Sequence, residues 1–97
     1  MKQMYNPPHP GEFIKEVYLD ELDLTIKEVA NKLNISSSTL SRLVNKKISV
    51  SAKMAMRLSI TLGRTPQSWL SMQNNYDLLE AQKDFDINNI KVLKIPA

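Results

Sequence analysis

The chain has 97 residues, enough for one small domain with its own core and little surplus. With no cysteine, disulfides, thiolate zinc sites and a cysteine nucleophile are excluded, and a reducing, cytoplasmic setting is expected. The net charge of +3 is modest but unevenly placed: two lysines face five acids up to Leu24, eight cations face the single acid Glu28 from Thr25 to Arg64, and three lysines face four acids beyond.

Positive charge gathered in mid-chain suits a polyanion, although a solvated lysine face would give the same count. The opening MKQMYNPPHPGEF lacks the apolar centre of a signal peptide, and no apolar run approaches the roughly 20 residues that span a bilayer. No membrane association is expected. The pattern divides into a helical domain over residues 1–83 and a short tail over 84–97.

Asn6-Pro-Pro-His-Pro10-Gly11 is an extended lead-in, and Pro10 suits a first helical position, where its missing N–H would have had no partner. A first helix is predicted from Glu12 to about Glu21, with Phe13, Ile14, Val17 and Tyr18 on one face. Thr25-Ile-Lys-Glu28 has the form of a capping box, in which the threonine hydroxyl takes an amide three residues on and the glutamate reaches back. It starts a second helix, Ile26 to Leu33, with Val29, Ala30 and Leu33 inward. Asn34 falls where the chain must turn, and asparagine tolerates the left-handed conformation needed there.

A third helix is predicted from Ser37 to Asn45, with Ser36 as N-cap and Leu40, Leu43 and Val44 as its buried stripe. A fourth runs from Ala52 to Leu62 between the cap Ser51 and the stop Gly63. Its apolar residues fall on most sides, which places it in the centre of the molecule. Thr65-Pro66 restarts the chain as a cap and first-turn proline, and a fifth helix runs to about Lys83 with Trp69, Met72, Tyr76 and Leu79 on one face. Leu70, Leu78 and Ala81 form a second strip, read either as a widened core face or as a subunit or partner contact. Beyond Asp84 the rhythm breaks, and Ile90-Lys-Val-Leu-Lys-Ile95 reads as a short strand or as a tail that orders on binding.

Helices two and three are short and joined by a corner too tight for antiparallel packing, so they must cross steeply as a helix-turn-helix. If the second member of such a pair enters the DNA major groove, its first turn comes close to phosphates and base edges, where bulky side chains would hold it off. The run Ser36-Ser37-Ser38-Thr39 supplies small hydroxyls at that point, and the free amides of the helix end favour a phosphate. Ser37, Ser38, Ser41 and Arg42 then face outward, and Arg42 alone can grip guanine through two hydrogen bonds. Asn45, Lys46 and Lys47 beyond the helix, together with Thr25 and Lys27 at the start of helix two, are placed to hold the sugar–phosphate backbone. The competing reading leaves the serines as caps and solvent-facing residues only.

The segments NPPHPGEFI, LTIKEVANKLNISSSTLSRLVNKK, ISVSAKMAMRLSITLG and TPQSWLSMQNNYDL resemble successive blocks of the HigA (VapI) antitoxins, a branch of the Xre/Cro-type helix-turn-helix regulators. The resemblance spans about Asn6 to Gln82. It implies an all-α, five-helix, lambda-repressor-like domain, usually dimeric, that binds operator DNA to repress its own operon. It also implies a RelE-like toxin partner that cleaves messenger RNA. Three positions depart from the family pattern: Ile26 stands where a phosphate-clamping glutamine is common, Ser37 where arginine is frequent, and Lys46 where glycine usually follows the third helix. The first two remove polar contacts to DNA, and the third demands a left-handed conformation at Lys46 or its displacement to Asn45.

His9 is the only histidine, so neither a metal site nor imidazole catalysis is supported, and the two glycines form no phosphate-binding loop. No enzyme, metal or cofactor is expected. A stand-alone regulator without a toxin, or an interaction module with little DNA binding, remain as alternatives.

Overall fold

The computed structural model describes residues 6–96; the first five residues of the expected 1–83 domain, and residue 97 of the tail, lie outside the described residues. Five helices follow one another, and no strand occurs among the described residues: α1 (Pro10–Ile14), α2 (Ile26–Leu33), α3 (Ser37–Val44), α4 (Ala52–Leu62) and α5 (Pro66–Gln82). Helix α1 continues directly into a π-helical segment, Lys15–Asp20. The fold is an all-α helix-turn-helix, as its sequence leads one to expect.

The caps read from sequence close their helices. Thr25 Oγ1 accepts from Glu28 N at 3.1 Å and Glu28 Oε1 accepts from Thr25 N at 2.8 Å. Ser36, Ser51 and Thr65 each accept the amide three residues on. Each such cap contributes about 1 kcal/mol by satisfying an amide that the helix itself cannot pair.

The first helix departs from expectation after Ile14. In a π-turn the backbone bonds run to the fifth residue, so residues five apart share a face. Ile14 and Leu19 are therefore buried together, while Val17, expected inward, is turned to solvent. Helix α4 also differs. Only Ala55 and Leu58 are buried, and Met56 and Ile60 are exposed at 57% and 86%. Its polar neighbours explain the tilt: Arg57 and Thr61 are drawn toward α2, which leaves the adjoining strip outward.

The core joins Ile14, Leu19, Val29, Ala30, Leu33, Leu40, Leu43, Val44, Val50, Ala55, Leu58 and Trp69. Trp69 is wholly buried, and its Nε1 donates to Gly63 O at 2.9 Å, so the one polar atom of the ring is satisfied. Gly11 lies against the end of α3; a Cβ there would sit 1.8 Å from Leu43 O and 2.8 Å from Val44 Cα. Glycine is required for that close approach of backbones.

Among the described residues, the tail from Asp84 makes hydrogen bonds only within itself. It turns at Ile87–Ile90, with Asn89 at φ 70°, and runs on extended and exposed, so the strand alternative is not realised among the described residues. The radius of gyration of 16.9 Å exceeds the roughly 12.5 Å of a compact chain of this length, in keeping with a projecting tail.

Candidate nucleic-acid interface

The crossing of α2 and α3 is fixed at three levels. Ala30 is 1% exposed, so the helices meet over a methyl group. Asn34 takes the left-handed conformation, φ 58° and ψ 46°, and Ile35 N donates back to Ala30 O at 3.0 Å. Arg57 of α4 then closes the turn from outside: its Nη1 donates to Leu33 O at 2.9 Å and Asn34 O at 3.2 Å, while Thr61 Oγ1 donates to Lys32 O at 3.3 Å. The last carbonyls of α2 are thus capped by side chains from another helix.

On this frame α3 buries Leu40, Leu43 and Val44 and turns its other side out. Ser37, Ser38 and Arg42 are exposed and Ser41 is half-buried. None of the outward group is sealed beneath other parts of the chain. The hydroxyl of Ser36 is committed to Thr39 N at 3.0 Å and to Thr39 Oγ1 at 2.8 Å, so Ser36 acts as a cap first. Thr25 is committed likewise to Glu28, and only its neighbour Lys27 extends freely. Between the first turns of α2 and α3 lies an open cleft of about 500 Å³ lined by Lys27, Asn31, Ile35 and Ser37 and by the capping pair Thr25 and Glu28, whose carboxylate is the one acid on the cleft and is taken up by Thr25. A phosphate entering it would meet the amide-rich, positive end of α3.

Past α3, Asn45 folds back so that its Nδ2 donates to Ser41 O at 2.8 Å. Asn45 is therefore a C-terminal cap as well as a candidate contact. Lys46 takes the left-handed conformation at φ 61°, so the strain falls on the lysine rather than on Asn45. Lys46 and Lys47 project from this corner, both exposed.

Not every cation of the middle segment is free. Arg64 lies over the rings of Phe13 and Trp69, 5.2 and 5.8 Å from their centroids, with its Nε on Ser68 Oγ. With Arg57 it belongs to the scaffold. The ion pairs among the described residues, Lys15–Asp20 and Lys83–Glu80, fall outside Thr25–Arg64. Lys27, Lys32, Arg42, Lys46, Lys47 and Lys53 are all exposed and keep their charge available.

Two buried polar side chains steady the corner from below: Gln73, which nothing in the sequence singled out, and His9, whose capping role the sequence did not show. Gln73 Oε1 accepts from Val50 N at 2.8 Å, and its Nε2 donates to Asp77 Oδ1 at 2.9 Å, which ties the loop after α3 to α5. His9 Nδ1 accepts from Gly11 N at 2.9 Å as the cap of α1, and its ring meets Tyr76 edge-on at 5.0 Å. Burial lowers the pKa of His9 from its ordinary value, which matches a neutral ring with an accepting Nδ1. No cluster of potential metal ligands occurs among the described residues.

Of the α5 strip, Leu70 is half-buried against the core, whereas Leu78 and Ala81 are exposed. Leu78 and Ala81 therefore remain open to a second chain.

Residues 14–69 match the family described as Helix-turn-helix (HTH_3). The HTH-type transcriptional regulator YddM of Escherichia coli K12 is 41% identical over 91 residues, which is 94% of this chain and 96% of that one. Antitoxin GraA in complex with its operator superposes with a TM-score of 0.83 at 32% identity, over 98% of this chain and 99% of that one. The Pseudomonas aeruginosa antitoxin HigA with the higBA promoter gives a TM-score of 0.73 at 30% identity, over 88% and 99% of the two chains. The chain belongs to the Xre-type helix-turn-helix family, in the branch that includes the HigA antitoxins.

Proposed function

We propose that this protein is a non-enzymatic antitoxin that binds operator DNA as a homodimer, represses its own operon, and neutralises a RelE-like, RNA-cleaving toxin by protein contact in the cytoplasm. The observation that carries the DNA reading is the outward face of α3. Ser37, Ser38 and Arg42 stand clear of the fold, while Lys27, Lys46 and Lys47 flank them without ion-pair partners among the described residues. Small hydroxyls admit the helix to the major groove, Arg42 reads a guanine edge, and the lysines and cleft hold phosphates. Relatives solved with operator or promoter DNA support the choice of DNA as the ligand. Leu78 and Ala81, with Leu70 behind them, supply the dimer or partner contact. Two copies would then place their α3 helices in successive grooves about 34 Å apart.

The test is a fluorescence-anisotropy titration with the DNA upstream of its own gene. Saturable binding that unrelated duplex does not compete away, and that weakens steeply as salt rises, is the expected result. Equal affinity for unrelated DNA defeats the reading. A second reading, an interaction module with little DNA binding, is favoured by the exposed apolar tail. Under it the same titration shows only weak, sequence-indifferent binding.

A further inference from the structure

The antitoxin reading offers the α5 strip as a dimer or partner contact without assigning it to the toxin, and the corner between α1 and α2 has the chemistry for the toxin. The π-helical segment turns Val17 outward, and Leu22 is 57% exposed at the corner. Two residues on, Leu24 lines a groove of about 320 Å³ with Val29 and Leu62 as its apolar wall and one acid and one cation, Glu28 and Lys32, which offset each other in charge. Tyr18 Oη donates to Leu62 O at 3.3 Å and so ties this corner to the end of α4.

Acids ring the apolar surface: Glu16, Asp20, Glu21 and Asp23 are all exposed. The only cation of this stretch, Lys15, is already paired with Asp20 at 3.1 Å. Asp20 and Glu21 stand at the C-terminal end of a helix, where the backbone dipole disfavours negative charge. An approaching cationic surface would reverse that penalty. The end of the tail has the opposite character: Ile90 to Ile95 carries Lys91 and Lys94 and no acid, with Asp84 and Asp86 confined to its start. The two unpartnered apolar surfaces therefore call for different occupants.

We propose that the α1–α2 corner, centred on Leu22 and ringed by Glu16, Glu21 and Asp23, docks a basic, RNA-binding protein, the toxin of the reading above. A protein that must hold and cut RNA carries excess positive charge around its cleft, so this face complements it in sign and offers apolar anchors for the contact centre. The assignment rests on the antitoxin reading, and the experiment separates the two.

The probe is the purified product of the open reading frame adjacent to this gene, titrated calorimetrically against the full chain. The combined variant Glu16→Lys, Glu21→Lys, Leu22→Lys is expected to weaken binding by about 100-fold or more, and Leu22→Lys alone by about 10-fold. All three side chains are exposed, and the unfolding equilibrium constant of the variants, measured in urea, should stay within about twofold of the parent's, which reports that the fold is intact. The variant Lys91→Glu, Lys94→Glu should capture the toxin undiminished. If the combined variant binds the toxin as tightly as the parent, or the tail variant loses it, the surface is wrong and the antitoxin reading stands. If the parent itself does not bind the neighbour's product, both fall. If the combined variant instead loses self-association by sedimentation, the occupant is a second copy of this chain and the proposal is overturned.

Discussion

Helix α3 and the tail after α5 are both rich in large apolar residues, yet they meet opposite fates. Leu40, Leu43 and Val44 of α3 are buried to the last few per cent, whereas Phe85, Ile87, Ile90, Val92, Leu93 and Ile95 all face solvent. In α3 the apolar positions recur at helical spacing and the partners that cover them lie in the same chain. In the tail, Ile90-Lys-Val-Leu-Lys-Ile95 follows neither a helical nor a strict alternating rhythm, and nothing within the described residues covers it. An apolar pattern specifies structure where its covering surface is encoded beside it. Elsewhere it marks a surface that awaits another molecule.

That contrast can be broken most severely at Gly11. A methyl group there would collide with Leu43 O and force α1 off the end of α3, so Gly11→Ala is expected to cost about 3 kcal/mol, measured by urea unfolding. A cost under about 0.5 kcal/mol would mean that the two helices are not held together as described. Next comes Arg57→Ala, which leaves the carbonyls of Leu33 and Asn34 without their partner and should cost about 1–2 kcal/mol. Because the loss falls on the helix-turn-helix corner, operator affinity should drop further than stability alone accounts for.

A smaller effect is expected from pH. His9 has its pKa lowered by burial, so between that value and its ordinary 6.5 the unfolded chain binds more protons than the folded one. Stability is therefore full above pH 6.5 and falls as pH drops below it; Asp77 and Glu12 oppose the shift, while Lys46 adds to it. Thermal melts across that range should show the decline in the parent and a flatter profile in His9→Asn, whose amide oxygen can still cap Gly11 N. The smallest effect sharpens the comparison from the other side. Truncation after Lys83 removes a tail whose described residues are all exposed and should change the stability of the dilute protein by less than about 0.5 kcal/mol, while any contact that the tail makes with a partner is lost.

The legible part of the fold was its punctuation. Thr25 with Glu28, Ser36, Ser51 and Thr65 each announce a helix through a local hydrogen bond, and Asn34 announces the turn between α2 and α3. Local chemistry of that kind can be read from neighbouring residues alone. The exposed face of α3 follows from the same logic, once Leu40 and Leu43 are assigned inward. What escaped was long-range. The π-turn that exchanges Val17 for Leu19, the fit of Gly11 against Leu43, and the reach of Arg57 across 24 residues to Leu33 carry no local signature. Arg57 and Arg64 looked like part of the cationic footprint because charge counts cannot tell a scaffold arginine from a free one. Met56 and Ile60 looked central because composition alone does not say which side of α4 its neighbours cover.

The central claim is that Arg42, carried outward on α3, reads a base within the operator. Anisotropy titrations of the parent and Arg42→Ala, on the natural upstream duplex and on duplexes with each guanine of the site replaced in turn, test it directly. The account predicts that Arg42→Ala loses about 1–3 kcal/mol of affinity on the natural duplex and becomes indifferent to replacement at one guanine in each half-site. Equal affinity and an unchanged pattern of base preference in the two proteins would contradict it.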